Sequence, residues 1–102
     1  MVSITEPALA PIIVEESNDY ERRIESEPHS LIFVIAPWNY PFMTAINSIA
    51  PALIAGSPVL LKMSTQTLLV GEYMEQAFLS AGLPEGVFQN VYLGHQTTAD
   101  LI

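Results

Sequence analysis

Leu31-Ile-Phe-Val-Ile-Ala-Pro-Trp-Asn-Tyr-Pro41 decides how the chain is read. Its first six residues are continuously apolar, the pattern of a short strand covered on both faces, as in a parallel sheet. Pro37 and Pro41 each fix φ and remove a backbone donor, so the strand must end in a turn between them. From there apolar residues recur at Phe42, Met43, Ile46, Ile49, Ala50, Leu53 and Ile54, which is helical spacing. Gly56 is placed to stop that helix, and Pro51 predicts a kink inside it.

Two further strand and helix units follow. Pro58-Val-Leu-Leu-Lys62 reads as a second buried strand, with Pro58 at its first position, where a missing N–H is tolerated. After a loop from Met63 to Gln66, the spacing puts Leu69, Val70, Tyr73, Met74, Ala77, Phe78 and Ala81 on one helical face. Ser64, Thr65 and Thr67 are its capping candidates, and Gly82 and Pro84 stop it. Val87 to Leu93 reads as a third strand, Gly94 as a turn, and Thr97 to Ile102 as the start of a helix. Short connections and right-handed crossovers then predict an α/β fold, half of a doubly wound parallel sheet with about three strands.

Residues 1–29 differ. They show no sustained period and carry Pro7, Pro11 and Pro28 with most of the acidic side chains, so they read as an extended acidic leader with room for a short helix or strand from Tyr20 to Ile24. The domain itself is expected to run from 30 to 102 and to be cut short there, inside a helix.

Composition removes several functions. Eleven acidic against three basic side chains give a formal charge of -8, which disfavours nucleic acid and anionic membrane surfaces. With no cysteine, a disulfide, a thiolate metal site and a cysteine nucleophile are all outside the reach of these 102 residues. His29 and His95 lack a second ligand at useful spacing, so no metal is expected. Ser30 to Leu61 carries no fixed charge, but Pro37, Asn39, Pro41, Asn47, Pro51, Gly56 and Pro58 leave no run of about 18 apolar residues to cross a membrane. The N-terminus lacks the basic segment and apolar run of a secretory signal, which makes a cytoplasmic setting the expectation.

Ligands of parallel sheets bind beyond the carboxyl ends of the strands, and two features meet there. Asn39, bracketed by prolines, offers an uncharged donor suited to a developing oxyanion. Lys62, the sole lysine, ends the second strand and is followed by Ser64 and Thr65, a set able to bind ribose hydroxyls or a phosphate. On spacing alone the plainer alternatives stay open: Asn39 as a turn residue between core aromatics, and Lys62 reaching solvent beside two capping hydroxyls.

Five blocks in order carry a resemblance. Ala36-Pro-Trp-Asn-Tyr-Pro41, Pro51-Ala-Leu-Ile-Ala-Gly56, Val59-Leu-Leu-Lys62, Gln66-Thr67 and Ala81-Gly-Leu-Pro-Glu-Gly-Val87 are similar to successive blocks of the NAD(P)-dependent aldehyde dehydrogenase superfamily. The likeness covers roughly residues 22 to 102. It implies the first half of a Rossmann-like coenzyme domain, with the cofactor across Ile35, Ala36, Pro37 and Trp38 and beside Lys62. It further implies that Asn39 helps hold the aldehyde oxygen, that Lys62 contacts the adenosine ribose or its phosphate, and that Ser64 and Thr65 are secondary contacts. Where many members have Lys-Pro-Ser-Glu, this chain has Lys62-Met-Ser-Thr65; losing that glutamate removes repulsion of a 2'-phosphate and makes NADP acceptable beside NAD. The Leu83 to Asn90 wording resembles a succinate-semialdehyde dehydrogenase-like branch. The family's nucleophilic cysteine and general-base glutamate lie downstream of these blocks, so this chain alone is expected to be inactive. The alternative is a non-catalytic docking module of the same fold, self-associating through open sheet edges.

Overall fold

The computed structural model describes residues 2–102. A 3-10 turn at Val2–Ile4 leads into α1 (Thr5–Leu9), followed by β1 (Ile12–Glu16) and β2 (Glu21–Ile24). Then come β3 (Ile32–Ala36), α2 (Pro41–Ile54), β4 (Val59–Met63), α3 (Leu68–Ser80), β5 (Phe88–Val91) and α4 (His95–Asp100).

The leader is therefore more structured than its sequence predicts. β1 and β2 form an antiparallel hairpin with an irregularity between Ile13 and Glu15. Its turn is built by Ser17, whose Oγ accepts the amides of Asp19 and Tyr20 at 3.3 and 3.2 Å. The Glu15 carboxylate accepts the Tyr20 hydroxyl at 2.8 Å and pairs with Arg22 at 3.3 Å, while the Arg22 guanidinium stands 5.3 Å from the Tyr20 ring centre. Every residue of both strands is exposed, so neither face had to become apolar and no alternation marks them in the sequence.

The second sheet is parallel, in the order β3-β4-β5. Its register pairs Val34 with Leu61 and Leu61 with Asn90, and Ile35 with Lys62 and Lys62 with Val91. Side chains alternate across a strand, so these rows belong to opposite faces. On one face Val34, Ala36, Val59, Leu61, Met63 and Phe88 are buried with Ala45 and Ile49 of α2 and Met74 of α3. On the other, Phe33, Ile35, Leu60, Gln89 and Val91 are half-buried or exposed. Lys62, in the same row as Ile35 and Val91, is buried, so this second face is covered only in part, less than the strands' apolar runs predict.

α2 matches its predicted span and contains Pro51. Gly56, at φ +85°, reverses the chain after it, where a side chain would be strained. α3 buries part of its predicted face: Met74 is buried and Val70 and Phe78 partly so, with Gly71 buried beside them, while Leu69 and Tyr73 are exposed. Gly71 sets this orientation, because a Cβ there would stand 2.0 Å from Asn90 Oδ1 and 3.0 Å from Met63 Cγ. Only a bare backbone lets α3 approach β5 so closely. None of Ser64, Thr65 and Thr67 makes a side-chain cap bond; Thr67 occupies the capping position, and its hydroxyl turns back to the Ser64 carbonyl at 3.5 Å. Two carboxylates of α3 also tie it to β5: Glu75 accepts the Asn90 amide at 3.1 Å, and Glu72 accepts the Tyr92 hydroxyl. The radius of gyration is 17.1 Å and the molecule measures 59 × 31 × 25 Å.

Candidate functional site at the carboxyl edge of the parallel sheet

β3 and β4 end side by side, because Ala36 pairs with Met63 and the Ser64 amide donates to the Ala36 carbonyl at 3.1 Å. That bond extends the ladder one step past the strands. It brings the Pro37 to Pro41 turn and the Ser64 to Thr67 loop to one edge of the sheet, joining the two features that the sequence places about 25 residues apart.

Pro37, Trp38, Asn39 and Tyr40 are all exposed on the first loop, which removes the alternative of Trp38 and Tyr40 as core aromatics. The Asn39 amide has no hydrogen-bond partner among the described residues, so both its donors are available. Tyr40 is unusual: at φ 47°, ψ 51° it is the single non-glycine residue with positive φ among those described. This left-handed conformation costs a residue with a side chain about 1–2 kcal/mol. Pro41 follows as the first residue of α2, a position where a missing N–H costs nothing. Both the Thr44 amide and the Thr44 hydroxyl donate to the Tyr40 carbonyl, at 2.9 and 3.0 Å.

On the second loop Lys62 is only 6% exposed, between Ile35 and Val91 in the register, and pairs with no carboxylate among the described residues. Most of the side chain is thus packed along its stem, which is compatible with an ammonium that still reaches the edge of the sheet. An ammonium without a carboxylate partner among the described residues can meet a ligand that brings hydroxyls or negative charge to it. Ser64 is half-buried and Thr65 exposed, both on the loop that follows. Ile35 and Ala36 form the strand end between the two features, Ile35 exposed and Ala36 buried. Among the described residues no cluster of three metal-binding side chains occurs, and no helix is long and apolar enough to cross a membrane.

Reading the sequence did not single out Tyr40 or Thr44. A residue before proline reads as extended, and nothing local marks Tyr40 as left-handed.

The family model described as "Aldehyde dehydrogenase family" matches residues 5–102. Over 80 residues the chain is 42% identical to 4,4'-diapolycopene aldehyde oxidase of Methylomonas sp, a match covering 78% of this chain and 15% of that protein. Over 68 residues it is 46% identical to the NADP-dependent glyceraldehyde-3-phosphate dehydrogenase of Streptococcus equinus, covering 67% of this chain and 14% of that protein. The solved structure of succinic semialdehyde dehydrogenase from Streptococcus pyogenes with NADP+ as cofactor superimposes with a TM-score of 0.85. That superposition covers 97% of this chain and 22% of the other at 20% identity, and shows the same fold. The chain spans about a seventh of the length of those two curated relatives. Its ordered blocks, its parallel sheet and a family match running from Thr5 to its last residue lead to one statement: the chain belongs to the aldehyde dehydrogenase family.

Proposed function

We propose that this chain forms the first half of the coenzyme-binding domain of an enzyme that oxidises an aldehyde to a carboxylic acid with NADP or NAD. The observation that carries the proposal is the bond from the Ser64 amide to the Ala36 carbonyl, because it joins a free amide donor and a lysine without a carboxylate partner among the described residues into one ligand edge.

In this reading the cofactor lies over Ile35, Ala36, Pro37 and Trp38, and Lys62 donates to its adenosine ribose or phosphate, with Ser64 and Thr65 as secondary contacts. Thr65, being neutral, tolerates a 2'-phosphate. When bound, the nicotinamide supplies the hydride acceptor. Asn39 donates to the aldehyde oxygen as negative charge gathers there, an interaction that strengthens toward the transition state. The exposed Trp38 and Tyr40 shield the reacting carbon from water. The 102 residues contain no cysteine and therefore cannot form a thiohemiacetal, so alone they bind but do not turn over aldehyde. We place the protein in the cytoplasm.

An amide NMR titration of the chain with NADP tests the binding half: shifts at the Trp38 indole and at Lys62 and Thr65 are expected, and their absence in a folded chain would overturn it. In a full-length relative, alanine at the position of Asn39 is expected to lower kcat by about 10²–10³. Alanine at the position of Lys62 raises the KM for cofactor instead. Unchanged kinetics in both variants sinks the assignment.

A second reading draws on the hairpin. β1 and β2 are fully exposed, with Ile12, Ile13, Val14 and Ile24 each more than half exposed, and a two-stranded ribbon is barely stable by itself. It fits a docking module that pairs through open strand edges with a second copy or a full-length relative. Sedimentation equilibrium separates the readings, since a monomer across the accessible concentration range removes the second.

A further inference from the structure

We infer that Thr44 is a positioning residue for Asn39, acting through the carbonyl of Tyr40. Its importance to the reaction rests on the role proposed for Asn39, whereas the geometry and the test below do not. The direction in which the Asn39 side chain leaves its turn depends on the backbone at residues 39 and 40. Pro37 and Pro41 fix φ on either side, so the remaining freedom lies between them. A residue before proline prefers extended backbone. Tyr40 is left-handed instead, and exchanging one conformation for the other would turn the chain and carry Asn39 away from the edge shared with Lys62.

Something other than Tyr40 must hold that conformation, since its side chain is 72% exposed and gains little from packing. The carbonyl is what is held. The Thr44 amide bond to it, at 2.9 Å, belongs to the first turn of α2 and would survive almost any residue at that position. The Thr44 hydroxyl bond, at 3.0 Å, depends on a β-hydroxyl; its other acceptor, the Pro41 carbonyl, stands at 3.5 Å. A hydroxyl bonding back within a helix slightly destabilises it. Helix stability therefore does not account for Thr44, whereas fixing the turn does.

The experiment is nitrogen-15 relaxation on the labelled chain and on Thr44→Val, Thr44→Ser and Thr44→Val combined with Tyr40→Asn. Asn39 is expected to show an order parameter near 0.85 in the parent, falling below about 0.6 in Thr44→Val. The amides of β4 should stay unchanged. Thr44→Ser, which keeps the hydroxyl, restores the order. So does Tyr40→Asn, because asparagine accepts left-handed backbone more readily than tyrosine. Order at Asn39 unaffected by Thr44→Val overturns the inference, as does loss of order spread evenly through α2 or failure of Thr44→Ser to rescue. Whether Asn39 touches substrate is decided separately by the kinetic assay above, and a negative result there leaves this measurement standing.

Discussion

Gly71→Ala is the sharpest probe of how α3 sits on the sheet. On sequence grounds it should stabilise, since alanine is favoured over glycine inside a helix by about 0.8–1.0 kcal/mol. The structure reverses that expectation. An added Cβ would lie 2.0 Å from Asn90 Oδ1 and 2.6 Å from Asn90 Cγ, so the amide must move or the helix must lift. Overpacking of this kind costs about 1–3 kcal/mol, which leaves a net loss near 1 kcal/mol once the helix preference is subtracted. In a domain of this size that lowers Tm by about 4–8 °C, measurable by circular dichroism. Asn90 Oδ1 is buried without a hydrogen-bond partner, but the Asn90 side chain also bonds the Tyr92 hydroxyl, so Asn90→Ala carries a cost of its own that the comparison of backgrounds subtracts. In an Asn90→Ala background both of the nearest atoms are gone, and the next nearest is Met63 Cγ, at 3.0 Å on a flexible chain. There Gly71→Ala should be neutral or raise Tm. A coupling energy of about 1–2 kcal/mol between the two positions is expected from this double-mutant cycle. Equal shifts of Tm in both backgrounds would refute the reasoning, because the penalty would then have nothing to do with Asn90.

Three further outcomes follow from the geometry. Thr65→Glu restores the acidic group common in the family, so NADP affinity should fall about tenfold or more while NAD affinity holds; a titration of both cofactors in which NADP is unaffected removes the argument from Thr65. The Tyr92 phenol is pushed above its usual range, first by its hydrogen bond to Glu72 and then by burial and the Glu72 charge. Its folded value thus exceeds the unfolded value of 10.0, so its contribution to stability is complete below pH 10.0 and disappears as pH rises through the folded value. Tyr92→Phe should accordingly flatten the alkaline fall in Tm, and a parallel profile would contradict this. Ser57→Ala removes the acceptor of the His29 amide, at 3.0 Å, and should lower the urea midpoint by an amount equivalent to about 1 kcal/mol at constant m. No change in the midpoint would show that the approach to β3 does not lean on Ser57.

The parallel sheet was legible because β3 and β4 are short apolar runs with Pro37 closing the first and Pro58 opening the second, and because α2 repeats its apolar residues at helical spacing from Phe42 to Ile54. The positions of Asn39 and Lys62 followed, since a parallel sheet puts strand ends with such loops on one edge. The burial of Lys62 did not follow: it comes from flanking Ile35 and Val91, which are 27 and 29 residues away in sequence and meet it through register alone. Of the hairpin, β2 lies where a short helix or strand was expected, from Tyr20 to Ile24, but β1 and the pairing escaped because both faces are exposed, although Ser17-Asn18-Asp19 between two runs of extended residues is a usable turn signal. The face of α3 was legible only in part: Val70, Met74 and Phe78 do meet the core, but Gly71 contributes nothing to an apolar pattern while setting the closest approach of the helix. Leu69 and Tyr73 carry the pattern and stay outside.

The shape of the molecule bears on how any measurement of its size is interpreted. A compact chain of about 100 residues has a radius of gyration near 13 Å, and this one has 17.1 Å along a 59 Å axis. Its translational diffusion is therefore slower than that of a sphere of 11.2 kDa. On a gel-filtration column a single copy elutes ahead of its mass and imitates a larger species. Shape alone thus moves the elution in the same direction as pairing through the hairpin, and only a measurement of mass independent of friction can tell the two apart.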